Sequence, residues 1–234
     1  MPLNAVGMYK NQITLKLGNR LRQLERMIDQ RYSQIWDCCC DHGLLGMSLL
    51  QRHAAVKVIF VDILSKQMAL LESKLSQYFS RDEFDWEIVC KDLKDIKVPD
   101  DSSQLFIIAG VGGDKTIEFI NSLCISSSMP NFDLLVCSVH GNYQVRETLA
   151  NQGFYLVNEQ IVMENNRFYE VIYASPKAKQ TITKVGDSMW DWSNHEHINY
   201  WQKMIAYYRI KTKTNAVRYK SILEDYEKLN NGAD

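Results

Sequence analysis

The chain has 234 residues, 46% of them hydrophobic and 24% charged, with a formal net charge of −1. This composition supplies one sizeable buried core, with room for an appendage, and excludes a disordered polyelectrolyte. It also excludes bulk attraction to a polyanion, so any contact with nucleic acid must come from local basic patches.

The six cysteines are a run of three, Cys38–Cys40, plus Cys90, Cys124 and Cys137. That spacing is neither a disulfide framework nor a pair of zinc half-sites, and a reducing cytoplasm is the expected setting. No charged-then-apolar leader opens the sequence, and apolar runs such as "LFIIAGV" fall far short of the ~20 residues a bilayer span needs. We therefore expect a cytoplasmic protein without a membrane or a metal, and a monomer.

In chain order, Ile13 to Tyr32 has a helical pattern and carries Lys16, Arg20, Arg22, Arg26 and Arg31 against Glu25 and Asp29 only. It predicts a basic leading helix. From Ser33, short apolar runs alternate with helical patterns: "SQIWDC", a helix from Leu44, "VKVIFVD", then a helix from Ser65 to Tyr78. "WEIVC", "LFIIAG", a helix through "KTIEFINSL", "DLLVCSV" and a helix through "VRETLANQG" continue the alternation. This is the order of a Rossmann-like, doubly wound, mostly parallel α/β sheet. "FYLVNEQIVMENNRFYEVIYAS" predicts a closing antiparallel hairpin, with Tyr155 to Met163 alternating as an edge strand does. Pro176 ends the pattern, so residues 1–176 form the expected main domain. Residues 177–234 form a small C-terminal helical segment: a polar linker to about Ser193, then two amphipathic helices. The first carries Ile198, Trp201, Ile205 and Tyr208 on one face.

In such sheets ligands bind beyond the carboxyl ends of the strands, so the loops after "IWDC", "IFVD", "IVC" and "FIIAG" should share one crevice. The first loop reads Asp37-Cys38-Cys39-Cys40-Asp41-His42-Gly43, and Asp62 ends the second strand, where a carboxylate suits a ribose diol. A dinucleotide would need GxGxxG to bring the backbone near a pyrophosphate, and that motif is absent. A phosphate-free, cationic ligand such as S-adenosylmethionine fits the acids Asp37, Asp41, Asp62 and Asp92 better. Asp41 and His42 fit a helix N-cap pair or, as the reading we favour, a ligand contact. "AGVGG" is either a plain strand-to-helix turn or a close backbone approach to the ligand. The cysteine run lacks convergent metal ligands, because consecutive strand residues alternate faces, and no base is visible to activate a thiol.

Taken together, "KLGNRL", "DCCCDHGLL", "VDILSKQMALLESKL", "KDLKDI", "AGVGGDKTIEFI" and "VRETLANQGFYLVNEQIVMENNRFYEVIYA" resemble the bacterial tRNA (adenine-22-N1)-methyltransferases, from about Ile13 to Ala174. That family reads KLSxRL, DIGSDHAYLP, GMGG, QPN with an arginine, and a hairpin ending in YEI or YEV. Lys16, Leu17, Arg20 and Leu21 match the first motif, and Asp37, Asp41 and His42 the second. Gly110, Gly112 and Gly113 match the third, and Arg146, Tyr169, Glu170 and Val171 the last. The resemblance implies S-adenosylmethionine as cofactor and tRNA as partner. It implies a cofactor site of Asp37, Cys39, Asp41, His42, Asp62, Ile63, Asp92, Leu93, Ala109 and Gly110, with Asp41 as the catalytic residue. It assigns Arg20, Gly112, Gly113, His140, Asn142 and Arg146 to the substrate.

Two departures stand out. Cys39 replaces a motif glycine and Cys40 a serine, while Gln-Pro-Asn falls on Cys137, Ser138 and Val139, leaving His140 and Asn142 to take over contacts with the adenine edge. Adenine N1 attacks a sulfonium methyl with its own lone pair, so no strong base is obligatory. A carboxylate beside the developing cation is the expected aid, and Asp41 is its candidate. Basic residues among Tyr207, Tyr208 and Tyr219, with no acid from Trp201 to Lys220, suit single-stranded or flipped nucleotides, or simply a solvated helical face. The rivals are a methyltransferase of a small molecule or a protein, and a non-catalytic RNA-binding relative.

Overall fold

The computed structural model describes residues 13–99, 103–125 and 130–229. Its seven-stranded sheet runs in the order β3-β2-β1-β4-β5-β7-β6. The strands are β1 (Tyr32–Cys38), β2 (Ala55–Asp62), β3 (Asp85–Cys90), β4 (Gln104–Ala109), β5 (Asp133–Cys137), β6 (Tyr155–Glu164) and β7 (Arg167–Ser175). β1 to β5 are parallel, whereas β7 pairs antiparallel with both β5 and β6. The helices are α1 (Asn19–Met27), α2 (Leu44–Gln51), α3 (Ser65–Tyr78), α4 (Gly113–Ile125), α5 (Asn142–Asn151), α6 (His195–Thr214) and α7 (Ala216–Lys228). The Rossmann-like sheet with a closing hairpin and C-terminal helices is as expected.

Alternating side chains of the central strands feed two cores, as strand geometry requires. Ile35, Val58, Phe60, Leu105 and Ile107 face the α1–α3 side. Trp36, Ile59, Val61, Phe106 and Ile108 face the side that holds Phe119 and Ile120 of α4 and Leu149 of α5. Asn165 and Asn166 both adopt φ near +55°, at 51° and 60°. That is the backbone of a two-residue turn whose twist matches β6 and β7.

Two expectations change. The leading helix is shorter than Ile13 to Tyr32: α1 covers nine residues and ends where Ile28 turns extended. The reason is tertiary, because Ile28 is buried and Tyr32 N–H already bonds Ala54 O, committing this stretch to the sheet.

The stretch after Pro176 is also no polar linker. Ile182, Val185, Met189 and Trp190 are buried. They belong to cores that cross residue 176: Ile182 packs with the sheet, and the others join Tyr143 of α5, Tyr200, Ile205 and Tyr208 of α6, and Ile222 and Tyr226 of α7. The C-terminal segment is packed onto the main domain rather than standing apart from it.

Candidate functional site

At the carboxyl ends of β1, β2 and β4 lie two adjoining cavities that share Cys39 and Val111 as their common wall. One, of about 220 Å³, is lined by Arg20, Asp37, Cys39, Cys40, Asp41, His42, Ala109 and Gly110, among others. The other, of about 290 Å³, is lined by Asp62, Ile63, Asp92, Leu93, Lys115 and Phe119 with Cys39 and Val111. Together they reach the size of a cofactor pocket, at the place where this class of sheet binds ligands. A larger cavity of about 410 Å³ opens at the amino ends of the strands. Four of its polar side chains satisfy one another: Tyr32 and Tyr173 share a hydrogen bond, Tyr32 donates to Asp133, and Gln30 donates to all three.

Asp37 sits on β1, 5% exposed, and accepts a hydrogen bond from Gly46 N–H of α2 at 2.9 Å. It has no ion pair among the described residues. Burial, with Asp62 adding to it, raises its carboxyl to a pKa of about 7 against the opposing pull of the Gly46 N–H. A cation placed in this cavity would be stabilised by the carboxylate and would restore its ionisation.

Asp62 ends β2 and braces two turns: it accepts from Asp41 N–H at 3.2 Å and from Leu64 N–H at 3.1 Å. Asp92 likewise caps the short 3₁₀ turn Leu93–Asp95, accepting from Lys94 N–H. Both acids therefore have local structural work as well as a place on the cavity wall.

Asp41 does not cap α2. Gly43 holds that position, and the Asp41 carboxylate is 69% exposed at the rim, 3.8 Å from His42 Nε2. His42 in turn is hydrogen-bonded to Gln67 of α3. Cys39, at φ 56°, and Asp41, at φ 49°, both take the left-handed backbone that the glycine of the resembling motif would adopt freely.

The three thiols of the loop are protonated. Burial and the nearby Asp62, Asp37 and Asp92 push Cys39 up to about 12, and burial first of all raises Cys38 and Cys40 as well. This leaves no nucleophilic thiolate at neutral pH. Among the described residues no group of three or more His, Cys, Asp or Glu could hold a metal ion. Nor is any described helix long and apolar enough to cross a membrane.

The substrate-side residues divide. Arg20 does reach the crevice, lining the first cavity: its guanidinium lies 5.3 Å from the Tyr169 ring centre, and its Nε faces Glu164 Oε2 at 3.9 Å. The loops after β4 and β5 are knitted together by Val139 N–H to Val111 O and Gly110 N–H to Cys137 O. A Cβ at Gly113 would come within 2.6 Å of His140 O, so this "GG" is needed for close packing of the two loops. His140 is exposed and lies over Gly112.

Asn142 and Arg146, by contrast, turn away from the crevice. Asn142 is 7% exposed, its Oδ1 accepting from Ser138 Oγ. Arg146 is fully buried, donating to Glu170 at 2.8 Å and to Glu159. Neither can touch a substrate in this conformation. Arg146 lies on the inner face of α5, where a cation had to find carboxylates. The sequence carries no local sign of this, because its partners are 13 and 24 residues away.

Basic side chains elsewhere are partly engaged. Lys16, Arg22 and Arg26 line an open cleft of about 630 Å³ beside α2. Lys203 stands over Phe168, Lys211 over Tyr207 and Arg218 over Tyr219, while Arg209 pairs with Glu227.

A family model described as a methyltransferase domain matches residues 17–172, well over half of the chain and the whole of both cavities. The chain belongs to that methyltransferase family. Among solved structures it is similar to Mycoplasma capricolum TrmK in complex with S-adenosyl-homocysteine, at TM-score 0.72 and 16% identity over 92% of this chain and 96% of that one. It is similar also to the Bacillus subtilis m1A22 tRNA methyltransferase TrmK, at TM-score 0.70 and 18% identity over 94% and 100%. A Streptococcus agalactiae protein of the NADB-Rossmann superfamily gives TM-score 0.75 and 17% identity over 96% and 100%. At these identities the likeness is one of fold. No curated protein matches the sequence.

Proposed function

We propose that this methyltransferase uses S-adenosylmethionine to methylate N1 of an adenine, position 22, in tRNA. The observation that carries the cofactor half is the pair of abutting cavities. One is walled by a buried, unpaired Asp37, and the other is an apolar slot edged by Asp62 and Asp92. The first suits an ammonium and sulfonium end, and the second a ribose and adenine. The cofactor, when bound, supplies an electrophilic methyl group.

The chain's own residues then bind, orient and stabilise. Asp37 would hold the cationic end, Asp62 the ribose hydroxyls, and Ile63 and Leu93 the adenine faces, with Asp92, Ala109, Gly110 and His42 completing the walls. Asp41 at the rim would face the positive charge that develops on the methylated base. Arg20, Gly112 and His140 border the space a flipped base would enter. Lys16, Arg22 and Arg26, and Lys203 and Lys211 across the molecule, are candidates for phosphate contacts that offset unstacking, which costs a few kcal/mol. A monomer in the cytoplasm is the working assumption.

A second reading keeps the cofactor and changes the acceptor. With Asn142 and Arg146 turned inward, His140 is left with few partners for reading an adenine edge, which favours a small-molecule or protein substrate.

Incubating the purified protein with unmodified tRNA and methyl-labelled S-adenosylmethionine, followed by nucleoside analysis, decides between the two readings. Label in 1-methyladenosine at position 22 is expected. Cofactor binding without label in any tRNA nucleoside would move the assignment to the second reading, and absence of cofactor binding would end both.

A further inference from the structure

The amino end of α1 lacks a cap of its own. Gly18 holds the N-cap position with no side chain to accept an amide, and the first turn carries no acidic residue. The free amides of that turn need an acceptor from elsewhere. It comes from the last residue of β6: Glu164 Oε1 accepts from Arg20 N–H at 3.2 Å, and a Cβ at residue 18 would fall on that same oxygen. The carboxylate thus occupies the space that a capping side chain at position 18 would fill. Asn19 Nδ2 donates to Met163 O at 3.2 Å, so two consecutive residues of α1 are seated on two consecutive residues of the hairpin.

The same carboxylate also meets the Arg20 side chain. Its Oε2 lies 3.9 Å from Arg20 Nε, with the two side chains only 22% and 21% exposed, and the Tyr169 ring of β7 stands 5.3 Å from the guanidinium. Nη1 and Nη2 lie beside Gly110, where a Cβ would come within 3.3 and 3.8 Å of them, on the wall of the first cavity. A guanidinium is planar and rigid, so turning Nε toward a fixed carboxylate also fixes the direction of both Nη groups.

We propose that Glu164, which lines neither cavity, is a positioning residue: one oxygen caps α1 in place of residue 18, and the other holds the Arg20 guanidinium toward the acceptor side of the crevice. This inference rests on the methyl-transfer reading for its rate consequence only.

Glu164→Gln separates the two tasks, because the amide oxygen still accepts from Arg20 N–H while the charge facing Nε is gone. Proton exchange followed by NMR on the full chain reads both without a substrate. The Arg20 Nε is buried in the parent, and in Glu164→Gln exchange of its proton with water should rise ten-fold or more, with the Arg20 backbone amide staying within three-fold. Gly18→Ala, whose methyl pushes the carboxylate away, should raise both. Unchanged Nε–H exchange in the two variants would overturn the proposal. So would a backbone amide that rises as much as Nε–H in Glu164→Gln, because the carboxylate would then only cap the helix.

In the activity arm, Glu164→Gln should lower kcat/KM with tRNA five-fold or more while the cofactor Kd and the melting temperature stay near the parent's. Added to Arg20→Met it should cost nothing further, since the side chain it positions is already gone. An unchanged kcat/KM, additive losses in the double variant, or a cofactor Kd that weakens as much as kcat/KM falls would each overturn the role. If the parent transfers no methyl to tRNA, the proposed substrate is wrong, and Nε–H exchange still decides whether Glu164 sets Arg20.

Discussion

Asp37 and the pair Glu159 and Glu170 are buried to the same degree, yet their electrostatic surroundings are opposite. The two glutamates enclose Arg146, and between them these side chains also accept from Ser188 and Tyr200, so little capacity is left for anything from outside. Burial works against the Arg146 charge, but Glu170 and Glu159 outweigh it and hold its pKa above the ordinary value. Asp37 has one backbone donor and no cation, and its proton affinity rises accordingly. A buried carboxylate with its counter-ion built in is a clamp, whereas one without is a socket for a cationic ligand.

Breaking the clamp should have the largest effect. Arg146→Met leaves two buried carboxylates without their cation, and removing one partner of a buried pair costs about 3–5 kcal/mol. For a chain of this size that corresponds to a fall in melting temperature of about 6–20 °C. Thermal unfolding monitored by circular dichroism checks it, and a shift of only a degree or two would show that the network is not a clamp. Ending the chain after Pro176 should be as damaging, because it strips Ser188 from Glu159, Tyr200 from Glu170 and Met189 from Arg146. We expect such a truncation to be insoluble or molten, with no cooperative transition.

The socket should respond to pH and to charge removal. Asp37 must be ionised to attract a cation, so S-adenosylmethionine affinity should rise as pH increases through about 7 and level off above it. Asp37→Asn should abolish that dependence and weaken binding ten-fold or more, the scale of one charge-assisted hydrogen bond of about 1.5–3 kcal/mol.

Stability should move the other way. The folded-state pKa is raised above the unfolded one, so the folded protein holds the extra proton, and stability contributed by Asp37 declines as pH climbs from about 4 to 7. Asp37→Asn should thus be more stable than the parent at pH 8, with the difference shrinking toward pH 4. Calorimetry and thermal shift at three pH values test both signs, and a parent affinity that does not change with pH would remove Asp37 from the cationic site.

Asp41 is unlike either, being exposed at the rim, so it contributes little to the fold. Asp41→Asn should keep cofactor affinity within two- to three-fold and reduce the single-turnover methyl-transfer rate by ten-fold or more, the signature of charge stabilisation in the transition state only. Equal losses in rate and affinity would make it a binding residue.

The contrast also marks what could be read along the chain. The succession of strands and helices, and the Asp37, Asp62 and Asp92 loops, follow from local periodicity and from the position of each acid at or just after a strand end. The Arg146 clamp was not legible, because charged partners far apart in sequence look like a solvated face until topology brings them together. Arg146 is placed on the substrate only by its match to the arginine of the resembling motif, but α5 turns that residue inward. Asn142, expected on the substrate for its closeness in sequence to the rim, is the first residue of α5 and is buried there. The aromatic density of "MWDWSNHEHINYW" was the available signal that the stretch after Pro176 is core rather than linker. The early end of α1 had none, since what ends it is the pairing of Tyr32 with Ala54.

The smallest predicted effect concerns the wall shared by the two cavities. Cys39 occupies φ 56°, a region in which an L side chain costs roughly 1–2 kcal/mol and glycine almost nothing. Cys39→Gly relieves that strain but widens the unfolded ensemble, so the net gain is expected to be about 0.5–1 kcal/mol, or 1–4 °C in melting temperature. It also removes a thiol from between the cavities, opening one toward the other. If cofactor affinity rises together with stability, Cys39 is a strained replacement tolerated by the fold. If stability rises and affinity falls, the Cys39 side chain is itself a contact with the bound cofactor, and the socket uses its sulfur as well as the charge of Asp37.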